Sequence, residues 1–288
     1  MWIVLSLLAA LFSGASVVIQ KRGMTGKTMQ ISAMSTSAGF CVMLLAVLVS
    51  GSINQLPAVS LYSWLLVAAS GFIQAFSWIT YFAALHDAKV NVMMALDKVN
   101  IVLAMILSYF ILEETITGWM VLGCFLILAG SVVMADIRNC RENADPKNRI
   151  WIVWAVLSPS LQAVANVLTK LDTSEMNPDL TTALRTFVVI TVLWIVSLIK
   201  EGKPDLRCML YGEAGINLIL GGAMVGISYI FMYRAIHDGI NAVVTPIVKS
   251  NFLISTIAAR ILLKEKLGLR GILGFTAVFG GVLMFLLN

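Results

Sequence analysis

Ten apolar runs, most of them near 20 residues long, alternate with short polar segments along this 288-residue chain. They fall at residues 2–20, 29–50, 62–85, 90–112, 117–136, 150–169, 180–199, 212–235, 240–262 and 268–287. An α-helix of about 20 mostly apolar residues spans the hydrocarbon core of a bilayer, so each run predicts one membrane span. Turn-forming residues separate the runs: Gly51-Ser52 with Pro57, Thr117-Gly118, Asn177-Pro178, Gly202 with Pro204, and Gly268. The first run has no basic residue ahead of its apolar stretch, so it predicts a retained helix rather than a signal peptide. The longest polar stretch, Arg138 to Arg149, divides the runs five and five. The pattern predicts an all-α membrane protein with residues 1–138 as one five-helix unit. Residues 139–149 then form a basic connecting loop and residues 150–288 a second unit.

The two units repeat one another. Ala84-Leu85-His86-Asp87 recurs 151 residues later as Ala235-Ile236-His237-Asp238, and Lys98-Val99-Asn100 recurs as Lys249-Ser250-Asn251. Leu112, Glu114, Gly123 and Gly130 recur at the same offset as Leu263, Glu265, Gly274 and Gly281. Trp2-Ile3-Val4 likewise matches Trp151-Ile152-Val153, which sets Lys21 opposite Lys170. Five spans is an odd number, so the second unit must enter the membrane from the opposite side. The halves are expected to be inverted repeats about a pseudo-two-fold axis in the membrane plane.

Composition agrees with lipid as the solvent. The chain is 59% hydrophobic and 12% charged, with mean hydropathy +0.92; a soluble domain carries about 25% charged residues. The net charge of +5 does not point to nucleic acid, because the basic residues sit in short loops between spans. Fifteen of the 20 Lys and Arg residues fall on the side holding the connection between the units. Three (Lys170, Arg185, Arg234) fall on the other side and two (Lys98, Lys249) inside the spans. By the positive-inside rule the connection side is cytoplasmic and both termini lie outside, in a multi-pass protein of the cell membrane. Cys41, Cys124, Cys140 and Cys208 form no metal-ligand or redox spacing, so no metal and no cofactor are implied. No nucleophile elbow, nucleotide-binding loop or His-Glu-x-x-His sequence is present, which argues against an enzyme and against ATP as energy source.

The sequence resembles the drug/metabolite transporter superfamily, and within it the two-domain EamA-type transporters. The resemblance rests on Leu96-Asp97-Lys98-Val99-Asn100 running to Phe110-Ile111-Leu112-Glu113-Glu114, followed by Gly123 and Gly130. Its second copy is Ile247-Val248-Lys249-Ser250-Asn251 running to Leu262-Leu263-Lys264-Glu265-Lys266, followed by Gly274 and Gly281. It implies a central cavity walled by spans one to four and six to nine, with spans five and ten outside. It also implies cytoplasmic termini, with basic residues in the loop between spans two and three. Here that loop, Ser50 to Tyr62, is uncharged, and the charge count favours the opposite orientation.

Lys98 and Lys249 are the leading candidates for substrate contact. At 1.5 Å per residue each lies about 12–14 Å into its span, near the middle of a core about 30 Å thick. A charge there costs at least ~2.5–3.5 kcal/mol, which marks a substrate or coupling-ion site, or else a structural polar network. Asp97, present in one copy only, is a candidate for proton or cation coupling or for an ion pair to another helix. An ion pair with Lys98 is disfavoured, because neighbours in a helix point to different faces, and Lys249 has Val248 in place of such a neighbour. Arg185 has the chemistry to bind a carboxylate or phosphate, or to mark an interface. Gln162 and Asn166 share a helix face, and Trp78 and Tyr229 are repeat equivalents; the resemblance makes all four cavity walls, against packing or lipid contact. Asn100 and Asn251 are expected to bond neighbouring helices, while His86, Asp87, His237 and Asp238 are expected in capping or solvated roles. Glu114 and Glu265 are expected to anchor helix ends.

These residues predict a secondary active transporter that moves a small polar metabolite, such as an amino acid or organic acid, by alternating access, and the basic residues tilt the expectation toward an anionic one. The expected partners are the small-molecule substrate, the lipid bilayer and a coupling proton or cation. The alternative is a flippase or accessory subunit for a lipid-linked substrate in envelope assembly. Substrate, direction and oligomeric state are left open by the sequence.

Overall fold

The fold comes from a computed structural model, which describes residues 1–23, 28–87, 96–134, 150–173, 176–204, 212–262 and 269–287. Its helices are α1 (Trp2–Gly23), α2 (Thr28–Ser50), α3 (Leu61–Asp87), α4 (Val99–Ile111), α5 (Gly118–Met134) and α6 (Ile150–Thr173). They continue as α7 (Pro178–Glu201), α8 (Glu213–Asp238), α9 (Asn241–Lys249), α10 (Asn251–Leu262) and α11 (Leu269–Leu286). Six of them, α1, α2, α3, α6, α7 and α8, are each long and apolar enough to cross a membrane. With span four ending in α4, span nine built from α9 and α10, and α5 and α11 as spans five and ten, the protein is a ten-span bundle. The expected connecting loop at 139–149 lies outside the described residues.

Lipid leaves backbone groups no water to bond, so each span must satisfy its own, as an α-helix does. The ends are trimmed accordingly. Asn177 caps α7 by accepting from the backbone N–H of Asp179 at 2.9 Å, with Pro178 at the first helical position. Gly51, at φ +67°, ends α2 in the left-handed region that side chains avoid. Hydroxyls inside the spans bond back to their own helix, as Ser131 does to the Ile127 carbonyl and Thr169 to that of Ala165. Large apolar side chains such as Leu45, Phe76, Phe125 and Ile199 are exposed, facing where lipid lies, while Asn100, Thr169, Arg185 and Asn241 are buried.

The halves interlock rather than sit side by side. Helix α1 packs on α8 and α3 on α6; α2 packs on α8 and α3 on α7. Each pair is the repeat equivalent of the other. The hydrogen bonds obey the same symmetry: Ser77 donates to the Ser158 carbonyl at 2.9 Å, and its counterpart Ser228 donates to the Ala9 carbonyl at 2.7 Å. On the axis itself α2 meets α7 and α5 meets α11. A methyl added at Gly123 would come within 2.8 Å of the Gly281 carbonyl oxygen, and one at Gly130 within 2.7 Å of that of Gly274. The repeat pairs Gly123 with Gly274 and Gly130 with Gly281, so these contacts cross as an inverted two-fold requires. The glycines let the two backbones approach closely, as small residues do in membrane helix pairs.

One expectation fails in detail. Spans four and nine are not continuous helices with a lysine at mid-length. Asp97 and Lys98 sit in a turn between helical Leu96 and α4. Lys249 is the last residue of α9, and Ser250 stands between α9 and α10. In span nine the chemistry of the break is visible. Pro246 has no N–H to give to the helix ladder. Ser250 folds back, with its N–H on the Pro246 and Ile247 carbonyls and its hydroxyl on that of Ile247 at 2.6 Å.

Candidate functional site

The two breaks meet at the pseudo-two-fold axis, and a cavity of about 200 Å³ opens there. Asp97, Lys98 and Lys249 all line it, with Gln162 and Asn166 from α6, Trp78 from α3 and Tyr229 from α8. Seven of the eight candidate residues are thus brought to one wall. That wall is largely built from repeat-equivalent positions. Ser13 faces it with Gln162, Gln74 with Val225, Ser77 with Ser228, Trp78 with Tyr229, Tyr81 with Met232, and Lys98 with Lys249. The symmetry lies in the positions; the side chains have diverged, so the chamber is chemically lopsided.

The charges are arranged across the repeats. Lys249 Nζ donates to both carboxylate oxygens of Asp97, at 2.8 and 3.0 Å, and to Gln162 Oε1 at 2.7 Å. Its three protons therefore have three acceptors. Lys98 Nζ donates to the backbone carbonyl of Lys249 at 2.8 Å, at the break itself. The Asp97 carboxylate lies 3.9 Å from Lys98, and the Phe252 ring 5.7 Å. Lys98 is only 2% exposed, whereas Asp97 is 25% and Lys249 14% exposed.

Two readings of the sequence are corrected by this geometry. Lys249 has a carboxylate partner, Asp97, supplied by the other repeat. Asp97 and Lys98 do approach one another, because the turn they occupy removes the helical geometry that would have held them apart. Arg185 is also displaced from its expected place. It does not line the chamber but stands behind it, buried, donating to Gln74 Oε1 at 2.7 Å and lying 5.0 Å from the centre of the Tyr233 ring. Gln74 and Tyr233 form the wall in front of it. Spans two and seven contribute no described lining residue, and α5 and α11 lie outside as expected.

Other expectations concern the surroundings. Asn100 donates to the Pro159 carbonyl at 3.0 Å and Asn251 to Ser13 Oγ at 2.8 Å, so both bond neighbouring helices, although Asn251 also reaches the cavity. His237 is exposed, with Nδ1 2.8 Å from Asp238 Oδ1. The side chains of His86 and Asp87, and Glu265 entirely, lie outside the described residues. Gln74, Tyr81, Tyr233 and Ser13 were not singled out in the sequence. Two of them had a legible signal: Gln74, Trp78 and Tyr81 fall at helical spacing on one face of an otherwise apolar span. Ser13 could have been found as the repeat counterpart of Gln162.

A wall with two ammonium groups and one carboxylate, backed by a guanidinium, suits a ligand that carries an anionic group. Hydroxyls, amides and aromatic faces around it supply orientation for the rest of such a molecule.

Known proteins agree with the architecture. One solved crystal structure superposes on 98% of this chain and 95% of its own with a TM-score of 0.83 at 15% identity, a likeness of fold. An uncharacterized transporter in the cobO 3' region of Sinorhizobium sp is 29% identical over 134 residues, covering 46% of this chain and 94% of that protein. That relative is about as long as one five-helix unit. The sequence matches the EamA-like transporter family twice, over residues 1–135 and again over 149–287, so the chain belongs to that family.

Proposed function

We propose that this protein is a secondary active transporter that carries a small polar metabolite bearing a carboxylate or phosphate across the cell membrane by alternating access. The observation that carries the reading is the convergence of Asp97, Lys98 and Lys249, from one broken span of each repeat, on a single chamber inside the helix bundle. Buried ammonium groups there are costly, and packing alone gives no return on them. Asp97 and Gln162 satisfy Lys249. A substrate anion replaces Asp97 there and is held as well by Lys98. Asp97, once displaced, is the group that takes up a coupling proton or cation. The connection side is cytoplasmic and both termini are outside, as the distribution of basic residues indicates.

The test is counterflow in proteoliposomes with a panel of labelled amino acids, dicarboxylic acids and sugar phosphates, run on the wild type, Lys98→Ala and Lys249→Ala. At least one anionic compound should exchange in the wild type and lose exchange in both variants. Exchange that survives both substitutions would remove the lysines from the site.

A further inference from the structure

The turn that joins α8 to α9 is gripped from both sides at the membrane face carrying the termini. On its carbonyl side, Lys170 of α6 reaches across the end of α8. Its Nζ donates to the Ile236 carbonyl, to that of Gly239 at 2.6 Å, and to that of His237 at 3.5 Å. On its amide side, Glu114 takes the first two N–H groups of α9. Asn241 N–H donates to Oε1 at 2.7 Å and Ala242 N–H to Oε2 at 2.8 Å. The amide of Asn241 is fixed as well, donating to Ser108 Oγ at 2.8 Å. A cation thus sits on the negative end of one helix and an anion on the positive end of the next, the arrangement that helix dipoles favour. Glu114 belongs to the first repeat and the turn to the second, so the grip joins the two repeats.

The grip also stands over the chamber. Asn241 accepts from Thr245 Oγ1 at 3.0 Å, one turn further on, and Thr245 lines the cavity. Between them Ala242, Val243 and Val244, with Ala235 and Ile236 of α8, are at most 2% exposed. Trp2, at the first residue of α1, covers Gly239 so closely that a methyl on that glycine would meet the indole at 2.6 Å. Among the described residues, these side chains cover the chamber at the terminus face. Toward the other face the chamber wall runs down to Gln20, in the last turn of α1, and Tyr81, six residues before the end of α3.

We infer that Glu114 and Lys170 form a latch that holds the chamber shut at the face carrying the termini and must release the α8–α9 turn for the substrate to pass there. The inference rests on the alternating-access reading. Neither side chain lines the chamber, so both are positioning residues for the transport step. The sequence repeat carries the same two residue types at the matching positions, Glu265 and Lys21.

The experiment uses the full chain with Cys41, Cys124, Cys140 and Cys208 changed to Ser and a single reporter, Ser13→Cys, in the chamber wall. A membrane-impermeant methanethiosulfonate is applied from each side of oriented vesicles. In the parent, reaction from the terminus side is slow. Glu114→Gln and Lys170→Met should each raise that rate about tenfold and lower the rate from the connection side. Lys170→Arg should restore the parent pattern, which a loss of folding would not predict. The two single variants act independently, so misfolding of one, seen by size-exclusion chromatography, leaves the other to decide. Parent-like rates in a folded Glu114→Gln or Lys170→Met overturn the latch while leaving the transporter reading intact. A parent whose reporter reacts equally from both sides, or from neither, overturns both.

Discussion

Asp97 and Lys249 are 152 positions apart in sequence, yet the carboxylate holds the ammonium through two hydrogen bonds of 2.8 and 3.0 Å at the point where the repeats meet. The repeat counterpart of Asp97 is Val248, so a single acidic residue has been added to a symmetric frame. Asp97→Asn leaves Lys249 with neutral acceptors and adds one net positive charge to the wall. Removing one partner of a buried pair costs about 3–5 kcal/mol. The lower end is expected here, since Asp97 is a quarter exposed. The variant should melt earlier in detergent, regain stability when an anionic ligand is added, and bind that ligand more tightly while turning over more slowly. Thermal melts with and without the ligand measure this, and a variant as stable as the wild type that gains nothing from the anion would contradict it.

The seam between α5 and α11 gives a prediction confined to stability. Gly130→Val places branched carbons against the Gly274 backbone and Val278, where even a methyl would come within 2.7 Å of a carbonyl oxygen. Overpacking of this kind costs about 1–3 kcal/mol, and backbone has less room to yield than side chains do. Neither helix lines the chamber. Fluorescence size-exclusion melts should show the loss, while the KM of the remaining folded transporter stays at the wild-type value. A KM shift without a loss of stability would place α5 nearer the site than its packing does.

Arg234 and Asp179 make a second end contact, between α8 and α7, with Arg234 Nε 2.7 Å from Oδ1 and its terminal nitrogen 2.6 Å from Oδ2. The geometry is bidentate, which strengthens it, but Arg234 is 41% exposed, which screens it. A double-mutant cycle with Arg234→Ala and Asp179→Ala should return a coupling of about 1 kcal/mol that shrinks at high salt. A coupling near zero at low salt would mean that the pair does not persist in solution.

The particular residues explain which parts of this molecule were legible in its sequence. Span positions follow from hydropathy alone, and outside the broken spans four and nine the described helices start and stop within a few residues of the runs. The repeat was equally plain, since Lys98 and Lys249 stand in matched surroundings without a gap. The break in span nine was available too, because Pro246 stands four residues before Ser250. The break at Asp97-Lys98 was not, since the counterpart of Pro246 is Ala95. The partners were hidden for a different reason. Arg185 looks like an anion site when read along α7, and only the approach of Gln74 from α3 and Tyr233 from α8 shows it to be a support behind the wall. Periodicity tells which face of a helix is polar, but not which polar face it will meet.

Lys98 and Lys249 are repeat equivalents, yet they should contribute unequally to binding. Lys249 has all three protons placed, two on Asp97 and one on Gln162. Lys98 places one on the Lys249 carbonyl and has the Asp97 carboxylate only at 3.9 Å. An entering anion therefore gains most from Lys98 at first contact, before the Asp97–Lys249 pair has opened. Lys98→Met keeps much of the side-chain volume and removes a buried charge. It also takes one hydrogen-bond donor from the Lys249 carbonyl, at a cost of about 1–3 kcal/mol. The folded variant should show a KM for the anionic substrate raised at least tenfold, equivalent to about 1.4 kcal/mol of lost binding. Lys249→Met removes the ammonium already held by Asp97 and leaves that carboxylate facing Lys98, so its larger effect should fall on the maximal rate. Initial-rate transport over a range of substrate concentrations separates the two. Equal KM shifts in both variants would show that the repeat symmetry survives in function despite the added Asp97.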